Sequence, residues 1–107
     1  MRRGRGTTVG RVRSLAGSML LDSLGPWVAA HGEDGTVDGA AFCRALTERT
    51  GDSVVVSEEV GLGVHPSSAA GRQFRDALGT LNQDVAEVAD QVLLIVAGRA
   101  LPLHRAP

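Results

Sequence analysis

The residues of this 107-residue chain with the most chemistry to offer are Asp22, the pair Glu58-Glu59 and the glycines that follow that pair. Asp22 ends the apolar run Met19-Leu20-Leu21, and Glu58 and Glu59 come directly after Val54-Val55-Val56-Ser57. A carboxylate at the carboxyl end of a buried strand is where nucleotide-binding α/β proteins hold Mg2+, directly or through water, so that the metal neutralises phosphate oxygens. A helix N-cap explains Asp22 equally well. The turn Gly61-Leu62-Gly63 would let backbone approach a ligand, and a helix starting near Pro66 would offer free N–H groups to an anion. A tight turn needed only for packing accounts for the same glycines. Glu58 and Glu59 would repel phosphate unless a metal intervened.

Other chemistries fit poorly. A dinucleotide fingerprint needs a third glycine where Pro66 stands. A Walker A loop needs a lysine to reach the β- and γ-phosphates, and all eleven basic residues here are arginine. His31, His65, His104 and Cys43 show no metal-ligand spacing, so the histidines read as surface or loop residues and Cys43 as a small core residue. No nucleophile elbow is present. Trp27 reads as packing against a sheet rather than stacking on a base.

The elements that must position these groups follow from periodicity. Ser18 to Asp22 reads as a strand leading into a helix that starts near Pro26, with Ser23 as a possible cap. The turn Gly32-Glu33-Asp34-Gly35 ends it. Asp38 to Thr50 is predicted as a helix: Asp38 caps it, Ala41, Phe42, Ala45 and Leu46 form its apolar stripe, and Gly51 stops it. Val54 to Val56 lacks polar alternation, as in strands covered on both faces of a parallel sheet. A long helix is predicted from Pro66-Ser67-Ser68 onward, with Phe74, Ala77, Leu78, Leu81, Val85, Val88 and Ala89 at three- and four-residue steps. Val92 to Val96 reads as a second buried strand, and Ala100 to Leu103 as an edge strand, because Pro102 cannot donate to a ladder. Strands alternating with helices give an α/β fold, mostly parallel, with flanking helices.

Composition sets the outer bounds. The length suits one domain with a modest core, and no run approaches the roughly 20 apolar residues that span a bilayer. Five arginines lie in the first thirteen positions, while from Ser14 on six arginines face all twelve carboxylates. Without aromatic residues to stack bases, residues 1–17 read as a disordered arm rather than a nucleic-acid contact. Gly17, Ser18 and Asp22 interrupt the apolar stretch that a secretion signal would need. One cysteine excludes an internal disulfide and fits a reducing cytoplasm.

Four ordered segments carry a family resemblance: Val54-Val55-Val56-Ser57-Glu58-Glu59-Val60-Gly61-Leu62-Gly63-Val64-His65-Pro66, Gly71-Arg72-Gln73-Phe74-Arg75-Asp76, Gly79-Thr80-Leu81-Asn82-Gln83, and Ala89 through Gly98. They resemble the C-terminal half of the bifunctional adenosylcobinamide kinase / adenosylcobinamide-phosphate guanylyltransferase family. Met19 through Trp27 looks like that family's Walker B-like strand and following helix, so the likeness covers roughly residues 18–103. The resemblance implies a partial RecA-like P-loop NTPase fold in residues 18–107, homo-oligomers, Mg2+, and GTP or ATP as substrate. It implies phosphorylation of adenosylcobinamide and then GMP transfer through a guanylylated histidine, in cobalamin biosynthesis. By this likeness Asp22 matches the acid near nucleotide and Mg2+, while Glu58 and Glu59 are weaker candidates for the same site. None of His31, His65 or His104 matches the guanylylated histidine. The family's phosphate loop would precede Ser18, and the arginine-rich stretch there does not match it. The expectation is therefore a truncated, marginally stable member, inactive alone, with no nucleic-acid or membrane partner. The rival readings are a non-catalytic module that pairs with an intact copy, and an unrelated α/β domain using Asp22 and Glu58 with Mg2+.

Overall fold

The computed structural model describes residues 8–31, 37–59, 63 and 66–106. Along the chain these form α1 (Thr8–Ser14), β1 (Met19–Asp22), α2 (Gly25–His31), α3 (Gly39–Glu48), β2 (Ser53–Val56), α4 (Ala69–Val88), β3 (Val92–Val96) and β4 (Arg99–Leu103). The turn expected at Gly32–Gly35 lies outside the described residues.

Two helices begin where short polar side chains take up a free backbone N–H. The Asp38 carboxylate accepts from the Ala41 N–H at 2.9 Å, and the Ser68 hydroxyl accepts from the Gly71 N–H at 2.9 Å. Both caps lie in extended backbone before an apolar stripe. The stripe of α3 buries Phe42 and Ala45 completely, and that of α4 buries Leu78 and Leu81. These side chains form the core with Val12, Met19, Leu24 and Val28. Each large apolar side chain so buried contributes about 1.5–3 kcal/mol relative to exposure. Trp27 packs on this core, its ring 5.2 Å from that of Phe42 and tilted by 54°. Cys43 is buried as expected, and burial pushes its thiol pKa up, with the Asp84 charge adding to the effect.

The arginine-rich segment corrects an expectation. Residues 8–14 are a helix rather than a disordered arm. Val9 and Val12 stand one turn apart; Val12 is buried and Val9 packs beside it against the core. Arg11 and Arg13 point outward, and Arg13 meets Glu48 of α3 at 2.7 Å. A seven-residue helix is unstable in isolation, so burial against α3 is what forms it.

The sheets also depart from expectation. β1 and β2 pair in parallel, with Leu20 opposite Val54 and Asp22 opposite Val56. β3 and β4 form a separate antiparallel hairpin, closed by Ala97 and Gly98, both at positive φ as a primed two-residue turn demands. The architecture is thus mixed α/β, half parallel and half antiparallel among the described strands. Met19 is buried, and Leu21 and Val55 pack against the core, but Leu20 is 66% exposed and Val54 56%. Ile95, Val96 and Leu101 are also more than half exposed. The apolar runs were expected to be covered on both faces. Among the described residues, the helices cover only one face of the parallel pair.

Candidate functional site at the carboxyl end of the parallel pair

Parallel pairing brings the ends of β1 and β2 together, and the chain is knitted there beyond the last ladder position. The Val56 carbonyl accepts from the N–H of both Ser23, at 2.9 Å, and Leu24, at 3.1 Å. To deliver both donors the chain turns sharply, and Ser23 takes φ +84°, a left-handed conformation that costs a side-chain-bearing residue about 1–2 kcal/mol. Strain of this kind concentrates at functional sites.

Glu58 spans the two strand ends. Its carboxylate accepts from the Ser23 hydroxyl and, at 3.2 Å, from the Gly25 N–H that opens α2. No Ser, Thr, Asp or Asn directly precedes Gly25, so the free donors of α2 are served from 33 residues away. A side chain at position 25 would put its Cβ 2.8 Å from a Glu58 oxygen, so glycine is what lets the carboxylate approach. Ser23 is therefore not itself the cap expected from sequence; it donates to the residue that is. Glu58, a candidate for the nucleotide and Mg2+ site by sequence, thus gives part of its accepting capacity to the protein.

Asp22 is left in a different state. It ends β1, is exposed, and makes no side-chain hydrogen bond among the described residues. The N-cap alternative fails, because Glu58 takes the Gly25 N–H. Glu59 lies three residues beyond the end of β2, exposed, with one carboxylate oxygen 3.5 Å from the Asn82 amide nitrogen. Asn82 of α4 also accepts from the Ser57 hydroxyl at 2.5 Å and donates to the Glu58 carbonyl at 2.9 Å. Asn82 stands in the resemblance segment Gly79-Thr80-Leu81-Asn82-Gln83, but apart from its being a poor helix former inside a helix, no local spacing marked its side chain as a partner of the β2 end.

Mg2+ is commonly held by one or two carboxylates together with substrate phosphates rather than by an all-protein cage. Asp22 is an exposed carboxylate at the end of β1, and no group of three or more His, Cys, Asp or Glu residues that could hold a metal occurs among the described residues. His31 ends α2 and His104 follows β4. Gly61, Leu62 and His65 lie outside the described residues; Gly63 is an exposed bend.

The Glu58 bridge carries a pH signature. The Ser23 hydroxyl holds the Glu58 carboxyl below the usual range, with partial desolvation opposing and the N–H groups of Glu58 and Gly25 assisting. A lowered folded-state pKa stabilises above the unfolded value, about 4.3, and that contribution is lost as pH falls through the folded pKa. Glu58→Gln is therefore expected to melt below wild type at pH 7, with the gap closing toward pH 3. A gap that does not change between these pH values would show that the charge on Glu58 does not stabilise the fold.

Residues 7–103 match the family model described as cobinamide kinase / cobinamide phosphate guanyltransferase. That match starts at residue 7 rather than 18, so it takes in α1, which the sequence resemblance had left out. The bifunctional adenosylcobalamin biosynthesis protein CobP of Pseudomonas aeruginosa is 34% identical over 94 residues, 83% of this chain and 54% of that protein. The bifunctional adenosylcobalamin biosynthesis proteins CobU of Escherichia coli and Salmonella typhimurium are each 47% identical over 45 residues, 42% of this chain and 25% of theirs. The matched region thus spans about half the length of the first relative and about a quarter of the other two. With nearly its whole length inside the family model, this chain belongs to the cobinamide kinase / cobinamide phosphate guanyltransferase family.

Proposed function

We propose that this chain supplies the magnesium-facing side of the nucleotide site in an adenosylcobinamide kinase / adenosylcobinamide-phosphate guanylyltransferase of cobalamin biosynthesis. The observation that carries the reading is the division of labour at the strand ends. Glu58 caps α2, whereas Asp22, at the end of β1, is exposed and makes no side-chain hydrogen bond among the described residues. Asp22 would hold the ion. When bound, Mg2+ supplies positive charge to the phosphate oxygens of GTP or ATP. The chain's own residues orient: the Val56 carbonyl fixes the turn after Asp22, and Glu58 fixes the start of α2.

The same reading makes the parallel pair part of a RecA-like P-loop sheet in a cytoplasmic homo-oligomer. No described helix is long and apolar enough to cross a membrane. The cation that a P-loop places on the β- and γ-phosphates is a lysine, and these 107 residues hold none. Of the three histidines, none is assigned the nucleophile of GMP transfer. The 107 residues alone are therefore expected to bind Mg2+·GTP without turning it over. Incubation of the purified chain with adenosylcobinamide, GTP and Mg2+ should yield neither phosphorylated nor GMP-bearing cobinamide, by chromatography. Formation of either product by this chain would overturn the account of the missing cation.

A further inference from the structure

The β3–β4 hairpin stands apart from the core: none of its residues is among those that form the core or pack against it. A lone two-stranded hairpin is marginal in water, and here Leu93, Ile95, Val96, Leu101 and Leu103 are exposed. We propose that the outer edge of β3 pairs antiparallel with β3 of a second copy of this chain, giving a closed dimer built on one four-stranded sheet. Nucleotide binding plays no part in this contact, so its failure would leave the strand-end site untouched.

The hydrogen-bond pattern singles out that edge. The two-residue turn Ala97-Gly98 makes Val96 and Arg99 the closing hydrogen-bonded pair, and alternation along the register makes Leu94 with Leu101 and Val92 with Leu103 the next two. Leu93 and Ile95 therefore turn their N–H and C=O groups away from β4, and among the described residues no strand pairs with them. Pro102 lies opposite Leu93, where its missing N–H faces away from β3. The outer edge of β4 is thus blunted, whereas β3 runs Val92-Leu93-Leu94-Ile95-Val96 with neither a charge nor a proline to guard it.

A second copy fits the open edge in one register. Antiparallel pairing centred on Leu94 sets Leu93 of each copy against Ile95 of the other, so the outward N–H and C=O groups of both residues are used. The same register sets Asp90 of each copy opposite Gly98 and next to Arg99 of the other, a pair of opposite charges at each end of the new ladder. Asp90 is exposed and makes no side-chain hydrogen bond among the described residues. Arg99 donates from one terminal nitrogen to the Ala97 carbonyl at 2.9 Å and keeps its other donors. The two-fold contact is closed, because the far edge of each hairpin ends in Pro102.

Sedimentation equilibrium of the full 107-residue chain over a range of concentrations tests the contact. Wild type should follow a monomer–dimer equilibrium. Ile95→Pro removes an outward N–H from each copy without touching the β4 ladder and should weaken the dimer about tenfold. Ile95→Lys, an edge lysine, is the second variant should the first fail to fold, with melting of each recorded alongside. Leu20→Lys, on the exposed face of the parallel pair, should leave the dimer intact. Asp90→Arg should weaken it about fivefold, and adding Arg99→Asp should restore it. A wild type that stays monomeric, or that grows into open-ended aggregates, would overturn the proposal. So would a dimer that survives both Ile95 variants, one that Leu20→Lys disrupts, or one that the charge swap fails to restore.

Discussion

Arg49→Ala is expected to remove about 3 kcal/mol of folding stability, a large share of what a domain of this size possesses. Arg49 ends α3 and reaches both strands of the parallel pair at their amino ends. One terminal nitrogen donates to the Gly51 carbonyl at 3.3 Å, the Asp52 carbonyl at 3.0 Å and the Ser53 hydroxyl at 2.8 Å. The other donates to the Leu15 carbonyl at 3.2 Å and the Gly17 carbonyl at 2.5 Å. A planar guanidinium can serve two segments at once, and charge-assisted hydrogen bonds are about twice as strong as neutral ones. The two segments meet so tightly that Gly51, at φ +93°, would put any Cβ 2.5 Å from the Gly17 oxygen. The Met19 N–H then bonds the Asp52 carbonyl at 2.8 Å, which starts the parallel register. Water would solvate the abandoned carbonyls, so the loss falls below the sum of five bonds. Arg49→Lys, with a point charge able to satisfy one segment, should recover less than half. Urea unfolding followed by circular dichroism measures both variants. A change in Arg49→Ala no larger than about 0.5 kcal/mol, the range of ordinary surface substitutions, would show the clamp to be unimportant.

The contrast between Arg49 and Asp38 shows what the sequence carries. Asp38 caps α3 three residues from its partner, and Phe42 and Ala45 repeat at helical spacing; such local signals were readable. The contacts of Arg49 with Leu15 and Gly17 lie 34 and 32 residues away, and arginine after a helix has no spacing that announces them. The capping contact of Glu58 was hidden for the same reason: its partner, the Gly25 N–H, lies 33 residues away. Val54–Val56 and Val92–Val96 were legible as strands because β-branched runs pack well on a pleated surface. Their composition reports faces suited to burial, not what covers them, so the exposure of Val54 and Ile95 was not readable. The arginine-rich start hid α1 because five charges outweighed Val9 and Val12, whose burial depends on α3.

Asp22 offers the second large effect, and it should fall on binding alone. The side chain is exposed and unpartnered among the described residues, so Asp22→Ala leaves the fold within about 0.5 kcal/mol of wild type. Loss of a carboxylate that holds the cation should weaken Mg2+·GTP binding about tenfold or more, since even residues that only support metal ligands matter by about 10–100-fold. Glu58→Gln should change melting more than binding, which would separate the capping acid from the metal-facing one.

Calorimetric titration of Mg2+·GTP into the wild-type chain and into Asp22→Ala tests the central claim most directly. Saturable heat from wild type, with affinity at least about tenfold lower in the variant at an unchanged melting midpoint, is the expected result. Equal affinity in the two proteins would remove Asp22 from the nucleotide site and with it the reading of these strand ends as the magnesium-facing side.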